Sequence, residues 1–384
     1  MVMKKYHLFA AAVAIASLAA CSKSSVTPVE TVEDGPVAVQ FGIGSPLDVR
    51  VKSVGSVGGS DEKSNVWNGQ ELKIYGFERT VTDFTTTAFI DNVSATAPAG
   101  VQKGVLSVTN AAAANEPFYY ASGINYDFYG YFTDDAATGA PVKTETEISV
   151  PFTIDGSQDL MIAKADQQTD IDAAQATDKV TEDRAYSAYA ARRGVQPTLS
   201  FKHLLSRFTF KIVAGSESAN LISVNKISLK SKTTGSIVVV GENRGLRLPT
   251  ESAEKPAETP VELFLQQRGK SGAMEELVSV KTEAYTEARD NAVSVGESLM
   301  VIPGEEYELT IYMSKDNSQT TVDPYKTTIS IAKIKGAPEG ATAFEAGYSY
   351  EVTAVIYGLE TVDITAALEP WKNGGSTTLD PDEE

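Results

Sequence analysis

Apolar residues occupy every second position in many short stretches of this chain. Such stretches begin at Val37, Phe208, Leu309 and Tyr348, among others, and Gly, Asn, Asp or Pro separates them. A period of two is typical of strands that bury one face, whereas helices repeat every 3.6 residues. Many short strands at close spacing predict an all-β chain of β-sandwich domains with short helical insertions.

The amino-acid composition of the chain disfavours several classes of function. The 384 residues are 42% hydrophobic and 22% charged, as in a folded protein of about two domains. The formal charge of −18 disfavours nucleic acid as a partner, because phosphate backbones repel an acidic surface. With two histidines and one cysteine, the chain lacks the residues for multi-Cys or multi-His metal centres and internal disulfides. We therefore expect no cofactor, no metal and no enzymatic activity.

Residues 1–20 have the composition of a signal peptide. Lys4 and Lys5 precede a short apolar run from Leu8 to Leu18, which is too short to span a bilayer. The next residues, Leu-Ala-Ala-Cys, resemble a lipobox and end at Cys21, the only cysteine of the chain. This motif predicts lipidation of Cys21; the alternative is an ordinary secretory cleavage that happens to fall nearby.

Composition shifts suggest how the chain is divided. We predict a tether and first strand over 21–50, an N-terminal β-sandwich domain over 51–196, a C-terminal β-sandwich domain over 197–375, and an acidic tail over 376–384. Gly194 and Pro197 mark the boundary between the two domains. The Ala- and Asp-rich segment 171–193 is either a helix that ends before Gly194 or a long solvated loop, whose acidic residues (Asp170, Asp172, Asp178, Glu182, Asp183) we assign to a solvated face.

Catalytic motifs are not found in the sequence. It contains no G-x-S-x-G elbow, P-loop or H-E-x-x-H motif, although a pair of carboxylates among 51 acidic residues stays possible. His203 lies among apolar neighbours, which favours a packed structural role. Trp67 and Trp371 are candidates for stacking on a sugar ring, but a lone Trp in a β-domain usually packs in the core or at an edge, and we interpret both as packing residues.

The segment 37–51 combines a strand with a possible protease site. Val37, Val39, Phe41 and Ile43 alternate with small or polar residues, and Arg50 follows in a Gly-Ser-Pro-containing stretch. Such a strand can lie in a groove, with alternate side chains in pockets and its backbone bonded on both edges. The alternative is an ordinary first strand of the N-terminal sheet, with Arg50 on the surface.

Several motifs, taken in order, resemble those of the fimbrillin family, the type V pilins. These are Val66-Trp67-Asn68-Gly69, the SQDLMIA stretch at 157–163, LSFKHLLSR at 199–207, SLMVIPGEEYELTIY at 298–312, FEAGYSY at 344–350 and the closing Trp371. The resemblance implies two tandem transthyretin-like β-sandwich domains, exported as an outer-membrane lipoprotein precursor and then carried at the cell surface in a fimbrium.

The resemblance also implies an assembly mechanism. An Arg-specific surface protease would cut between Arg50 and Val51, remove the strand of Val37, Val39, Phe41 and Ile43, and open a groove for a strand of another fimbrial subunit. The segment 361–371 is the candidate donor, through Val362, Ile364 and Leu368. There the run from Ala366 to Pro370 interrupts the alternation, which leaves open a stalk, tip or accessory position.

Two alternatives remain at this stage. An uncleaved anchor or accessory subunit would keep both its first strand and its lipid. A monomeric surface lipoprotein would bind glycans, as a surface ligand, through a Tyr-rich stretch (Tyr119, Tyr120, Tyr126, Tyr129), although ordinary sheet packing explains that stretch better.

Overall fold

Short strands that pair into several sheets make up most of the fold, as the alternation predicts. A computed structural model of the chain describes residues 35–44, 67–101, 103–250, 258–315 and 324–369. The strands of the first half are β1 (Phe41–Ile43), β2 (Glu71–Glu78), β3 (Ile90–Thr96), β4 (Gly104–Leu106), β5 (Thr109–Asn110), β6 (Glu116–Pro117), β7 (Tyr126–Phe132), β8 (Val142–Lys143), β9 (Ile148–Thr153), β10 (Met161–Lys164), β11 (Thr198–Leu199) and β12 (Lys202–His203).

The second half continues in the same style. Its strands are β13 (Ser206–Ala214), β14 (Ile222–Ser231), β15 (Thr234–Val240), β16 (Gly245–Arg247), β17 (Val261–Phe264), β18 (Gln266–Arg268), β19 (Met274–Glu276), β20 (Val280–Lys281), β21 (Val293–Val301), β22 (Glu306–Lys315), β23 (Tyr325–Ser330), β24 (Ile334–Lys335), β25 (Ser349–Ile356) and β26 (Val362–Glu369). The helices are α1 (Gln167–Ala173) and α2 (Ala188–Ala191), and 3-10 turns occur at Ala111–Ala113, Glu182–Arg184, Glu217–Leu221 and Ile331–Lys333. The predicted class, all-β sandwiches with short helical insertions, is confirmed.

The first half of the chain builds two sheets around one core. A five-stranded sheet runs in the order β12-β10-β7-β2-β3, and a three-stranded sheet runs in the order β11-β1-β4. Their inner faces share a hydrophobic cluster that includes Phe41, Trp67, Phe128 and Phe201. We call this cluster the N-terminal core. It places β1 in one layer of a sandwich, facing β7 in the other.

The second half builds another pair of sheets. One has the order β21-β13-β25-β26-β24, and the other has the order β17-β14-β22-β23. Their side chains form a second cluster, in which Phe208 lies within 5.1–5.4 Å of the rings of Tyr307, Phe344 and Tyr350. Such ring packing contributes beyond the area that it buries. This cluster also receives Tyr75 and other side chains from the back of the five-stranded sheet of the first half.

The predicted domain boundary lies between α2 and β11, but the pairing crosses it. Both β11 and β12 pair with strands of the first half, and β9 pairs antiparallel with β15 in a sheet of order β16-β15-β9-β8. The bounds 51–196 and 197–375 therefore stay a prediction, and residues 198–203 serve the N-terminal sheets.

Two local expectations differ from the structure. The segment 171–193 is neither one helix nor an open loop, because α1 and α2 flank turns and a 3-10 segment, and Gly194 follows α2 with a φ of 82°. The apolar alternation of Ile329 and Ile331 predicts a strand, but Ile331 begins a 3-10 turn and is buried in the second cluster. Over the described ranges, the helices are all too short or too polar to cross a bilayer.

Candidate functional site

Strand β1 lies in the middle of its sheet and is paired along both edges. It runs parallel to β11 on one side and antiparallel to β4 on the other. The Gly42 amide donates to the Pro197 carbonyl at 2.9 Å, and the Gly44 amide donates to the Leu199 carbonyl at 3.2 Å. Because both edges are occupied, β1 fills a slot between two neighbours and does not extend an open sheet.

The pairing begins before β1 itself. The Val39 amide donates to the Phe118 carbonyl at 2.7 Å, and the Tyr120 amide donates to the Val37 carbonyl at 2.9 Å. Between these two bonds, Ala38 lies opposite Tyr119 in an antiparallel bridge. The stretch bonded to the rest of the chain thus runs from Val37 to Gly44, which covers the strand predicted from the alternation.

The inward side chains of this strand are part of the N-terminal core. Val39 is 5% exposed, and Phe41 and Ile43 are each 1% exposed, while Val37 packs against the same core from a half-buried position. The Phe41 ring meets the Phe128 ring edge to face, with 5.0 Å between centroids. Full burial of such side chains stabilises a fold by about 1.5–3 kcal/mol each. The prediction that these four residues share one buried face is confirmed.

We call the slot that these residues occupy the β1 groove. Its walls are β4 and β11, and its floor includes Leu106, Phe128 and Leu199, all of them buried. Without its strand, the groove would present this apolar floor and two rows of unpaired backbone groups to water. Both are costly, which makes an empty groove strongly attractive to another extended strand.

Trp67 holds the end of the strand in the groove. Its indole Nε1–H donates to the carbonyl of Gly44 at 3.0 Å, and its ring lies edge to face with Phe201 at 5.5 Å. The side chain is fully buried, so the packing role predicted for Trp67 is confirmed. Its bond to Gly44, 23 positions earlier, had no signal in the sequence.

Asp170 supports the β11 wall of the groove from behind. One carboxylate oxygen accepts from the Tyr186 hydroxyl at 2.6 Å and from the Thr198 amide at 2.9 Å. Burial raises the pKa of Asp170 above its ordinary value, partly opposed by these hydrogen bonds. The assignment of Asp170 to a solvated face was wrong: the residue is 4% exposed and ties α1 to β11. An acidic run looks the same in sequence whether one member turns inward or not.

The candidate donor strand, β26, lies in a different sheet. It pairs antiparallel with β25 along its whole length, and only Ala366 and Ala367 pair with β24 on the other edge. Val362 is buried, and Ile364 and Leu368 are half-buried against the second cluster. Although the alternation is interrupted from Ala366, β26 is one continuous strand to Glu369.

The predicted site residues are thus only partly brought together. The strand of Val37 to Ile43 and the strand of Val362 to Leu368 belong to different sheets and different cores. Cys21, Arg50 and Val51 lie outside the described residues. Lipidation and cleavage at these positions therefore stay predictions.

His203 is buried against a carboxylate, in agreement with the structural role predicted for it. Its Nδ1 lies 2.7 Å from a carboxylate oxygen of Asp159, and both side chains are fully buried. The pair joins β12 to the turn before β10, so it stabilises the edge of the five-stranded sheet. Among the described residues, His, Cys, Asp and Glu side chains form no group of three or more suited to a metal ion.

The Tyr-rich stretch packs mainly inside the protein. Tyr120, Tyr126 and Tyr129 are buried on the two faces of β7 and its neighbours, and Tyr119 alone of the four is exposed, at 41%. Glycan binding usually requires several exposed rings, so this stretch provides no such platform. Sheet packing, the preferred explanation from the sequence, is confirmed.

Comparison with known proteins now identifies the class of protein. The model of a family described as fimbrillin-like matches residues 60–371, which is most of the chain. The chain therefore belongs to the fimbrillin-like family. This membership supports a fimbrial subunit, a structural protein of the cell surface, as the coarse function.

A search of solved structures returned proteins of low sequence identity from Bacteroides and Porphyromonas species. A candidate cell adhesion protein from Bacteroides uniformis has 16% identity and a TM-score of 0.48, with 88% of this chain and 99% of that chain covered. One from Bacteroides ovatus has 17% identity and a TM-score of 0.48, over 88% and 100% of the chains. A fimbrilin from Porphyromonas gingivalis has 12% identity and a TM-score of 0.41, over 87% and 97%. No curated protein sequence matches this chain.

Proposed function

We propose that this protein is a fimbrial subunit that opens its β1 groove by losing its first strand. It is exported as an outer-membrane lipoprotein through Cys21 and cut between Arg50 and Val51 by an Arg-specific surface protease. The groove then receives a strand from another fimbrial subunit, and the assembled fimbrium serves adhesion to a host or bacterial surface.

One observation carries this proposal: the strand that would be removed is central in its sheet. Residues 37–44 are bonded on both edges and bury Val39, Phe41 and Ile43, yet their covalent link to the strands that follow runs through the segment that contains Arg50. A cut there turns a covalent part of the sandwich into a separate peptide. A replacement strand then restores both the backbone pairs and the apolar contacts, so assembly is strongly favourable.

An uncleaved anchor or accessory subunit is the second candidate. The bond from Trp67 to Gly44 favours it, because this contact secures the strand at the end nearest the cleavage site. In this case the chain keeps β1 and its lipid, and the groove never opens. The mass and N-terminus of the protein on native cells separate the two: a chain that begins at Val51 supports removal, and one that begins at acylated Cys21 contradicts it.

A reversible lock tests whether the strand must leave. Ala38 and Tyr119 lie opposite each other between two flanking backbone bonds, the antiparallel position at which Cα atoms approach most closely. The double variant Ala38→Cys, Tyr119→Cys should therefore form a disulfide that retains residues 37–44 after cleavage. We expect native cells carrying it to lose this subunit from SDS-resistant fimbrial ladders, and a reducing agent to restore it.

The single variants are the matched controls for the lock. Ala38→Cys alone and Tyr119→Cys alone remove the same side chains without closing the bridge, so they should assemble normally. If the oxidised double variant enters the ladders as efficiently as the single variants do, the strand does not leave and the proposal is wrong.

A further inference from the structure

Two positions on the outward face of the β1 strand are glycine, because side chains of neighbouring residues lie close to them. A Cβ added to Gly42 would lie 2.9 Å from Oγ1 of Thr198, and one added to Gly44 would lie 3.1 Å from Oγ of Ser200. Neither glycine has a left-handed φ, so the backbone itself would accept another residue. Space, and not conformation, excludes a side chain at Gly42.

Thr198 is not free to turn away from Gly42. Its amide donates to the Asp170 carboxylate at 2.9 Å, which holds the backbone of β11 at this position. The carboxylate is itself held by the Tyr186 hydroxyl at 2.6 Å. A β-branched side chain has few rotamers, so the Thr198 hydroxyl has little freedom to turn away once its backbone is held. The contact over Gly42 is therefore rigid.

On the inward face of the β1 strand, the preceding position requires a large side chain instead of none. Phe41 fills a pocket against Phe128 and is 1% exposed. Replacing a buried Phe by a small residue leaves a cavity, which is among the most costly core changes. A strand in the β1 groove must therefore carry a large aromatic residue in the Phe41 pocket and a glycine directly after it, over Thr198.

We infer that the β1 groove is selective for such a strand, and that another protein supplies it, because β26, the candidate donor of this chain, does not meet the requirement. This inference rests on the proposed release of the first strand. It goes further by naming the feature that selects the partner, an aromatic-glycine step within an apolar alternation, and by naming Thr198 as the residue that determines this specificity.

The chain's own candidate donor, β26, does not meet the requirement. In the register that places Ala367 over Thr198, Ala366 falls in the Phe41 pocket and leaves it mostly empty, and the sequence places Glu369 where Gly44 stands. A slide of two residues in one direction places Thr365 over Thr198. A slide in the other direction places Glu369 there.

The remaining placements of β26 fail for equally simple reasons. Shifts by an odd number of residues turn Asp363 and Thr365 toward the apolar floor. With the strand direction reversed, either Asp363 or Thr365 lies over Thr198, or Ala367 lies there and Pro370 takes the place of Val39. A proline at Val39 has no amide to donate to Phe118, a bond that the present strand makes at 2.7 Å.

Strand grafts in the uncut full-length chain test this selectivity directly. The first graft rewrites residues 37–44 as the β26 sequence through Ala38→Asp, Val39→Ile, Gln40→Thr, Phe41→Ala, Gly42→Ala, Ile43→Leu and Gly44→Glu. The matched graft carries Ala38→Asp, Val39→Ile, Gln40→Thr, Ile43→Leu and Gly44→Glu, and so differs from the first only in keeping the aromatic-glycine step. We expect the first graft to lower the midpoint of thermal unfolding by about 10 °C and the matched graft to recover most of that loss.

A double-mutant cycle isolates the role of Thr198. Gly42→Ala alone should lower the unfolding midpoint, and Thr198→Ala added to it should recover most of the loss, because the methyl group then has room. If the two changes are simply additive, Thr198 does not determine the specificity. If the first graft is as stable as the natural chain, the groove is not selective. Either result overturns the inference.

The origin of the partner strand is tested on the native ladders. Mass spectrometry of the SDS-resistant ladder band, or rung, that contains this subunit should identify a second, different chain beside it. The purified, cut protein alone should form no ladder. A rung made of two copies of this chain overturns the inference. The grafts need no cleavage, so a selective groove in a chain that never enters ladders would contradict the proposed function alone.

Discussion

At the residue scale, Asp134 is the group whose ionisation is most affected by folding in the pH range of cells. Burial raises its pKa from 3.8 to about 7, and the nearby carboxylates of Asp159, Asp135 and Asp155 add to the effect. The Asp159 amide donates to Asp134 at 3.1 Å and partly opposes it. The folded chain therefore binds this proton more tightly than the unfolded chain does.

The pH dependence of stability follows from that difference. Because the folded pKa is the higher one, the stabilisation from the protonated Asp134 is complete below about pH 4 and is lost as the pH rises through about 7. Asp134→Asn keeps an acceptor but cannot ionise. We expect its free energy of unfolding, relative to the natural chain, to rise by up to about 4 kcal/mol between pH 4 and pH 8, as measured by urea unfolding.

Asp135→Asn is the control for this prediction. Asp135 is the exposed neighbour and has a similarly left-handed φ, of 64° against 48° for Asp134. Because burial is the largest cause of the raised pKa of Asp134 and the Asp135 carboxylate is a smaller one, this substitution should reduce the pH dependence only slightly. A relative stability of Asp134→Asn that stays constant from pH 4 to pH 8 would contradict the assignment.

The residues that sequence reasoning missed share one property: their partners are distant along the chain. Trp67 was correctly interpreted as a packing residue, and its bond to Gly44 could not be seen because nothing local marks it. Asp170 was placed on a solvated face because its neighbours are acidic, and Thr198, 28 positions later, draws it inward. Burial of one member of an acidic run is a tertiary property.

At the element scale, β26 covers β25 near one end of its sheet, where only the two-residue strand β24 lies beyond it. It covers β25 along its whole length and buries Val362, with Ile364 and Leu368 half-buried. Deletion of residues 361–384 should bare that edge of β25 and lower the free energy of unfolding by on the order of 5 kcal/mol. Size-exclusion chromatography should also show aggregates, because a long unpaired edge recruits other strands.

A shorter deletion is the control for the loss of β26. Removal of residues 372–384 alone takes away the acidic tail and leaves β26 in place, so the unfolding midpoint should not change. If the longer deletion is equally stable and monomeric, β26 is held only weakly by its own chain. That result would favour its release as a donor strand.

The location of strands along the sequence was largely predictable, but the place of each strand within its sheet was not. The alternations at Phe208, Ile227, Leu309 and Tyr348 all coincide with observed strands. Alternation reports which face is buried, but the same pattern suits a central strand and an edge strand. The sequence of β26 shows the opposite case, a strand that alternation predicts poorly. Its apolar pattern weakens, yet hydrogen bonds to β25 keep the strand regular.

At the scale of the whole molecule, the excess of negative charge should oppose folding. The formal charge is −18, whereas the ion pairs of the described residues are mostly solvent-exposed contacts such as that of Lys143 with Asp91. Exposed pairs contribute about 0–1 kcal/mol each. Screening of the net repulsion should therefore outweigh the weakening of these pairs, and we expect the unfolding midpoint to rise by a few degrees between about 10 mM and about 150 mM salt.

Two salts with different ions provide the control for this charge effect. Sodium chloride and potassium chloride should give the same rise at equal ionic strength, because screening depends on ionic strength and not on the ion. A fall of the midpoint with added salt would mean that specific ion pairs stabilise this protein more than its net charge destabilises it.

The sequence by itself determined that the chain is built of strands, that it belongs with the fimbrillins, and which alternating residues face a core. These are local properties, because the periodicity of the apolar residues and the order of short motifs indicate them directly. The tertiary structure decided that β1 lies between β4 and β11, that Trp67 secures its end, and that Thr198, held by Asp170, leaves room only for Gly42. Each of these depends on contacts between segments far apart in the chain, and no local pattern encodes which of them will meet.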